Sequence, residues 1–202
     1  MTRLPKETRA EARARRAAVE DPAVVLEAAA RFLEVRPRSV EEVRRRLRDA
    51  GYRDDLVDGA VERLAALGYL DDASFARAWV ESRDRARPRG ARALRDELRQ
   101  MGVAAEDVEA ALAAREATAT GAAGDDATLR PAAGERATSR SSDEEAAARL
   151  LTRRGGPLLR EVDPRKRRAK AYSLLARNGF DPEVCRDAVA AWTRAAAPDG
   201  EA

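Results

Sequence analysis

Histidine is absent from this chain. That removes the side chain that most often serves as a general base near neutral pH, and the commonest metal ligand. A single cysteine, Cys185, excludes an intramolecular disulfide and a cysteine-based zinc site. Cys185 falls in a helical apolar stripe, where a thiol is expected to act as a small core side chain and not as a nucleophile. No apolar run approaches the ~20 residues that span a bilayer, and the basic N-terminus lacks the apolar stretch of a secretory signal. A cytoplasmic protein without membrane association is expected. Aromatic residues make up only 4% of the chain, and Val, Ile and Thr runs with two-residue alternation are missing, so no sheet is expected. Neither a Gly-rich phosphate loop nor a nucleophile with a base at hand can be found. The expectation is a protein with no catalytic residues, no cofactor and no metal.

What the chain does have is charge and helix formers. Charged residues make up 37% of its 202 residues, with a formal net charge of +3 and a pI near 9.4. Ala, Arg, Glu and Leu dominate, and these side chains lose little rotamer freedom in a helix.

An internal repeat organises these residues. Gly51, Gly102 and Gly179 each sit in the same frame, with apolar residues at −8, −4, +1, +6 and +10 relative to the glycine. The first copy reads Val43, Leu47, Tyr52, Val57 and Val61. The second reads Leu94, Leu98, Val103, Val108 and Leu112, and the third Ala171, Leu175, Phe180, Cys185 and Val189. Four-residue spacing places side chains on one helix face. The glycine supplies the left-handed residue that ends the helix, and a second helix follows. An earlier helix precedes the first two glycines, through Val24, Ala28 and Ala29 in one copy and Phe75, Trp79 and Val80 in the other. The predicted fold is therefore all-α, an elongated array of three tandem three-helix repeats.

The first two glycines lie 51 residues apart and the third follows after 77, an excess of 26. Residues 117–142 number 26 and are rich in Ala, Thr, Gly, Asp, Ser and Arg. Such a segment buries too little apolar surface to offset its ordering. The expected organisation is a basic arm without fixed structure over 1–20, repeats over 21–70, 71–116 and 143–195, a flexible linker over 117–142, and a loose tail over 196–202. Helix starts fit this frame. Asp21-Pro22 and Asp181-Pro182 look like caps followed by a first-turn proline. Ser39 with Glu42 and Ser142 with Glu145 suggest capping boxes, and Asp54 and Asp71 are further candidate caps.

Basic residues cluster in three places. Arg83, Arg85, Arg87, Arg89, Arg92, Arg95 and Arg99 stand against only Asp84, Asp96 and Glu97, around the Pro88-Arg89-Gly90 turn. Arg92, Arg95 and Arg99 share one helix face and form a candidate footprint for phosphate or for an acidic groove; a solvated face beside Trp79 is the alternative. Arg165, Lys166, Arg167, Arg168 and Lys170 open a helix, where cations oppose the macrodipole and so suggest an external anion. Arg44, Arg45, Arg46 and Arg48 precede the Gly51 stop, where cations suit the helix end and a structural role is as good a reading. Phe75 and Trp79 could stack on bases, as could Trp192, but the i, i+4 spacing of the first two favours core packing. Asp71 and Asp72 at a helix start read as caps, not as a catalytic pair. Nothing resembles a base-reading helix rich in Asn and Gln.

One stretch is more specific than the rest. Gly68-Tyr69-Leu70-Asp71-Asp72, with Phe75-Ala76 and Trp79-Val80 at fixed spacing, resembles the hallmark of the RecX family. Arg38-Ser39 through Glu42-Val43 to Leu47 is similar to an upstream motif of that family. Glu97-Leu98 through Gly102-Val103 and Arg177-Asn178-Gly179-Phe180 are similar to downstream ones. The resemblance covers about residues 22–193 apart from the 117–142 insertion, with Met101 where Lys is usual and Asn178 where Arg is usual. It implies a regulator without an active site. Such a regulator binds the filament of RecA recombinase on single-stranded DNA and limits strand exchange and co-protease activity, with consequences for recombination, repair and the SOS response. On that resemblance the cluster at 83–99 and the cluster at 165–170 become candidate filament contacts, and a monomer is expected. A helical DNA-binding protein acting without RecA is the alternative, and a repeat scaffold with no nucleic-acid role is a third.

Overall fold

The structure is a computed structural model and describes residues 8–120 and 141–196. Expectations for 1–7, for 121–140 and for the last six residues lie outside the described residues. Among the described residues there are ten α-helices, one 3-10 turn and no strand. The helices are α1 (Arg9–Ala17), α2 (Pro22–Leu33), α3 (Val40–Ala50), α4 (Asp54–Ala66), α5 (Asp72–Ala86), α6 (Ala91–Gln100), α7 (Ala105–Ala119), α8 (Ser142–Arg154), α9 (Pro164–Arg177) and α10 (Pro182–Ala195). Helices α2–α4, α5–α7 and α8–α10 form three tandem three-helix repeats. The chain divides into two compact units, one running to Phe75 with Arg99–Ala104, the other comprising Ala76–Leu98 and the chain from Ala105 onward.

The glycine stops hold in all three copies. Gly51, Gly102 and Gly179 have φ of 104°, 81° and 80°, a region that side chains with a Cβ rarely adopt. After α3, the Gly51 N–H donates to Arg48 O and the Tyr52 N–H to Leu47 O. The same pair of bonds joins Gly179 to Ala176 and Phe180 to Leu175. This is the Schellman arrangement, which satisfies the last carbonyls of a helix. All the four-spaced positions before each glycine, and those at +6 and +10, are buried.

In the first unit, Val25, Ala29, Val43, Leu47, Val57, Val61, Leu64 and Leu70 form one core. The buried pair of α2 is Val25 and Ala29, whereas Val24 is exposed and Ala28 half-buried. The sequence frame placed Val24, Ala28 and Ala29 inward; Ala29 is buried as expected, whereas Val25 takes the place expected of Val24. In the second repeat Ala76 and Val80 occupy the corresponding buried places, together with Phe75. The third repeat packs Ala146, Ala147, Leu150 and Leu151 against Ala171, Leu175, Phe180, Cys185 and Val189. Its first helix is set farther from its glycine because a 3-10 turn, Gly156–Arg160, intervenes.

Two local expectations change. The arm over 1–20 contains α1, which starts on a Thr8–Glu11 capping box. It buries no residue of its own. Instead Arg13 and Arg16 donate to the carbonyls of Asp49 and Ala50 at the end of α3, where the helix dipole favours cations. Docking through guanidiniums leaves no apolar stripe to detect. At the linker edges, residues 117–119 belong to α7, and Ser141, not Ser142, caps α8 by accepting from the Glu144 N–H. Ser142 faces the other way: its N–H donates to Glu116 at 3.0 Å, and its hydroxyl bonds the same carboxylate.

The remaining caps divide. Asp21 and Asp71 accept from backbone N–H groups two residues on, and Ser39 with Glu42 forms the expected capping box. Asp181 occupies the cap position without a side-chain bond, and the cap residue of α4 is Arg53, with Asp54 in the first turn.

Candidate functional site

The bend between α5 and α6 is built from polar contacts within the second unit. Pro88 is fully buried. The Gly90 N–H donates to Asn178 O at 3.0 Å, and a Cβ on Gly90 would lie 2.2 Å from Gly179 O. Only glycine permits this approach. Arg89 donates to Asn178 Oδ1 at 3.0 Å, and the Asn178 amide donates to Leu174 O at 2.7 Å. Asn178, a departure from the family pattern, thus ties the end of α9 to the bend.

Arg115 is the centre of this joint. Only 8% exposed, it bonds Asp84 through Nε and Nη2 at 2.8 and 3.0 Å and Asp143 through Nη1 at 2.6 Å. The carbonyls of Arg89 and Ser142 accept further bonds. Asp143 also accepts from the Ala91 N–H, which opens α6. Burial opposes the Arg115 charge, but Asp84 and then Asp143 more than offset it, and its pKa rises. A buried guanidinium is tolerated only when its charge and its donors are met in this way.

The seven arginines of the 83–99 cluster meet different fates. Arg83 lies over the Trp79 ring at 4.1 Å and bonds Glu97 at 2.7 Å. The Trp79 indole N–H donates to the same carboxylate, so Trp79 is half-buried at an edge rather than in the core. Phe75 is buried as the spacing implied. Arg89 Nε lies 3.4 Å from Glu97, an ion pair without hydrogen-bond geometry. Arg95 grips Glu109 with two bonds of 2.6 and 2.9 Å; the hydrogen bond outweighs desolvation, and the Arg95 pKa rises. Arg85 is largely exposed, 3.8 Å from Glu81. Arg87, Arg92 and Arg99 are exposed and meet no carboxylate among the described residues. The three-arginine face on α6 therefore contains two free cations and one neutralised one.

The second cluster is more open. Asp163 caps α9 by accepting from the N–H groups of Arg165 and Lys166. Arg165, Lys166 and Arg168 are exposed without a carboxylate partner among the described residues. Arg167 turns back to Glu161 O at 3.0 Å, and Lys170 pairs with the Glu161 side chain. In the third cluster Arg44 bonds Asp58 at 3.1 Å and Arg48 bonds Asp54 at 2.9 Å, Arg46 lies 5.7 Å from the Phe32 ring, and Arg45 is exposed.

Sequence reasoning missed Arg115, Asp143 and Glu116. A signal was present, because Val108, Ala111, Leu112 and Arg115 fall at i, i+3, i+4 and i+7 on α7, and all four are buried. An arginine on an apolar stripe needs a partner, but the stripe does not name it. Cys185 is a core residue, its thiol near Phe180 O and pushed up in pKa by burial. Trp192 packs against the third-repeat core. Among the described residues no group of acidic or cysteine side chains could hold a metal ion, and no helix is long and apolar enough to cross a membrane.

Comparison with known proteins agrees with this architecture. Three family models match in order: RecX first three-helix domain at residues 26–64, second at 71–112 and third at 142–189. Regulatory protein RecX of Prosthecochloris aestuarii is 43% identical over 40% of this chain and 54% of its own length. The protein of the same name from Mycobacteroides abscessus is 46% identical over 41% of each chain. These two matches thus span about half or less of those relatives. Regulatory protein RecX of Thermobifida fusca is 33% identical over 74% of this chain and 68% of its own length. The crystal structure of RecX from Lactobacillus salivarius superposes with a TM-score of 0.65 at 16% identity, covering 87% of this chain and 98% of that one, a likeness of fold. With the three domains in sequence and a relative matched over two thirds of its length, the chain belongs to the RecX family of regulatory proteins.

Proposed function

We propose that this chain is a non-catalytic cytoplasmic regulator, acting as a monomer, that binds the RecA filament on single-stranded DNA and lowers its recombinase and co-protease activity. The observation that carries the reading is the set Arg165, Lys166 and Arg168. These three cations stand exposed in the first turns of α9 without an ion pair to an acid among the described residues. A cation at a helix start gains nothing from its own dipole, and this supports a reading in which these groups serve an anion from outside the chain. Arg87, Arg92 and Arg99 are the second group available for such contacts, with Arg85 beside them. Arg83 and Arg89 are engaged at the bend instead, Arg95 ties α6 to α7 through Glu109, and Arg167 and Lys170 turn back to Glu161 at the start of α9.

Each phosphate neutralised releases counterions, so binding through these groups weakens steeply with salt. The test is RecA filament growth and ATPase on single-stranded DNA with substoichiometric protein added. Slower growth and lower ATPase are expected, with the effect lost when Arg165, Lys166 and Arg168 are replaced by Glu. Unchanged filament growth with the natural chain would reject the reading. Tight, sequence-dependent binding to naked DNA would favour a regulator that works without RecA.

A further inference from the structure

The third repeat holds a groove that its own residues do not neutralise. Helices α9 and α10 meet through Ala171, Leu175, Cys185 and Val189. Along one flank of that contact runs a groove of about 520 Å³ lined by Arg168 and Tyr172 from α9 and by Arg186, Val189, Ala190 and Arg194 from α10, with no carboxylate in its lining. Arg168 and Arg186 are exposed and meet no acid among the described residues. Arg194 reaches only the Ala190 carbonyl of its own helix, at 3.4 Å. Three buried or half-buried arginines elsewhere in the same unit are matched by acids, Arg115 by Asp84 and Asp143, Arg83 by Glu97 and Arg95 by Glu109. Here three guanidiniums surround a floor made of the half-buried Tyr172 and the exposed Ala169 and Ala190, with the core residue Val189 beneath.

The two features together select a ligand. A phosphodiester strand would use the basic rim and leave the aliphatic floor without a partner. An acidic segment with an apolar stripe uses both, since its carboxylates meet the guanidiniums in charge-assisted, fork-like pairs and its apolar side chains cover Ala169, Tyr172 and Ala190. The lining residues fall at spacings of three and four on each wall, 168, 169 and 172 on α9 and 186, 189, 190, 193 and 194 on α10, so one face of each helix forms the groove. Those are the spacings at which a third helix lies in the groove between two others. We infer that the α9–α10 groove of the third repeat docks an amphipathic acidic helix of a protein partner. This goes beyond the filament reading, because neither Arg186 nor Arg194 is among the residues assigned there.

The probe is a fluorescein-labelled helical peptide with a leucine stripe flanked by glutamates, titrated with the full chain and followed by anisotropy. The natural protein is expected to bind it. The Arg186→Glu, Arg194→Glu double variant should bind at least about tenfold more weakly, in line with the loss of charge-assisted contacts. Arg186→Gln with Arg194→Gln serves as a second variant that keeps side-chain bulk, and far-UV circular dichroism checks that both variants remain folded. No binding by the natural chain, or equal binding by the folded variants, overturns the inference. So does a loss of oligo(dT) binding in the variants while peptide binding persists, since the groove would then serve nucleic acid. The RecA assay on the same variants is a separate readout, so failure of the docking inference and failure of the filament reading remain distinct.

Discussion

The arginines around the α5–α6 bend and those that open α9 are the same residue at similar density in the sequence, yet they end in opposite states. At the bend, Arg83, Arg89 and Arg115 converge with Trp79, Glu97, Asp84 and Asp143. At α9, Arg165 and Arg168 stand in water with a capping aspartate as the nearest acid in sequence. Burial makes the difference. A guanidinium withdrawn from water must be met by charge and by acceptors for its donors, whereas an exposed one is stable alone. Charge density in a sequence therefore marks where arginines cluster. Desolvation marks which of them hold the fold and which are left for a partner.

Breaking the buried member should have the largest effect. Arg115→Met removes the shared partner of Asp84 and Asp143, leaving Asp84 to the more distant Arg149 at 3.6 Å and Asp143 to the backbone N–H of Ala91. A loss of about 3 kcal/mol is expected, at the low end for a buried pair because both acids keep some exposure. Urea unfolding measures it, and a loss below about 1 kcal/mol would mean that water already screens this joint. Next in size is Glu97→Gln, which weakens the contact to Arg83 and the indole of Trp79 together. About 1–2 kcal/mol is expected for charged hydrogen bonds at this half-buried edge, again by urea midpoint.

Acid sharpens the same contrast in the first unit. Burial raises the Glu42 pKa, but the hydrogen bonds from Arg36 and the Ser39 N–H and the charges of Arg36 and Arg38 outweigh it, and the net shift is downward from 4.5. A carboxyl that titrates lower when folded adds stability above its unfolded value, and that stability drains as pH falls through the folded one. The urea midpoint should therefore drop between about pH 6 and about pH 3, and drop less in Glu42→Gln. An equal drop in both would assign the acid sensitivity to other groups. The smallest stability effect belongs to α9. Replacing Arg165, Lys166 and Arg168 by Glu should change unfolding by no more than about 0.5 kcal/mol, with negative charge at a helix start slightly favourable, while the effect on RecA filaments disappears. A large loss of stability would show that these cations also serve the fold.

Much of the fold was legible because its signals are local. Leu94, Leu98, Gly102 and Val103 lie within ten residues and already specify a face, a stop and the residue that packs back over it. Val25 took the place expected of Val24 because both are apolar and adjacent, so spacing alone could not tell which faces the core. Helix α1 escaped because it docks through Arg13 and Arg16, and periodicity of hydropathy carries no trace of such contacts. The candidate site was legible as a list of cations and not as a division among them.

From its order of residues alone, the chain determines that three copies of one unit follow each other, where the helix before each repeat glycine ends, and most of the positions that form their apolar faces, since these depend on neighbours within a turn or two. Tertiary structure decided which arginines stay free. Arg115 meets Asp84 and Asp143, 31 and 28 residues away, and Arg89 meets Asn178 across 89. Charge pairing at such separations depends on how the helices pack, and no local spacing encodes it.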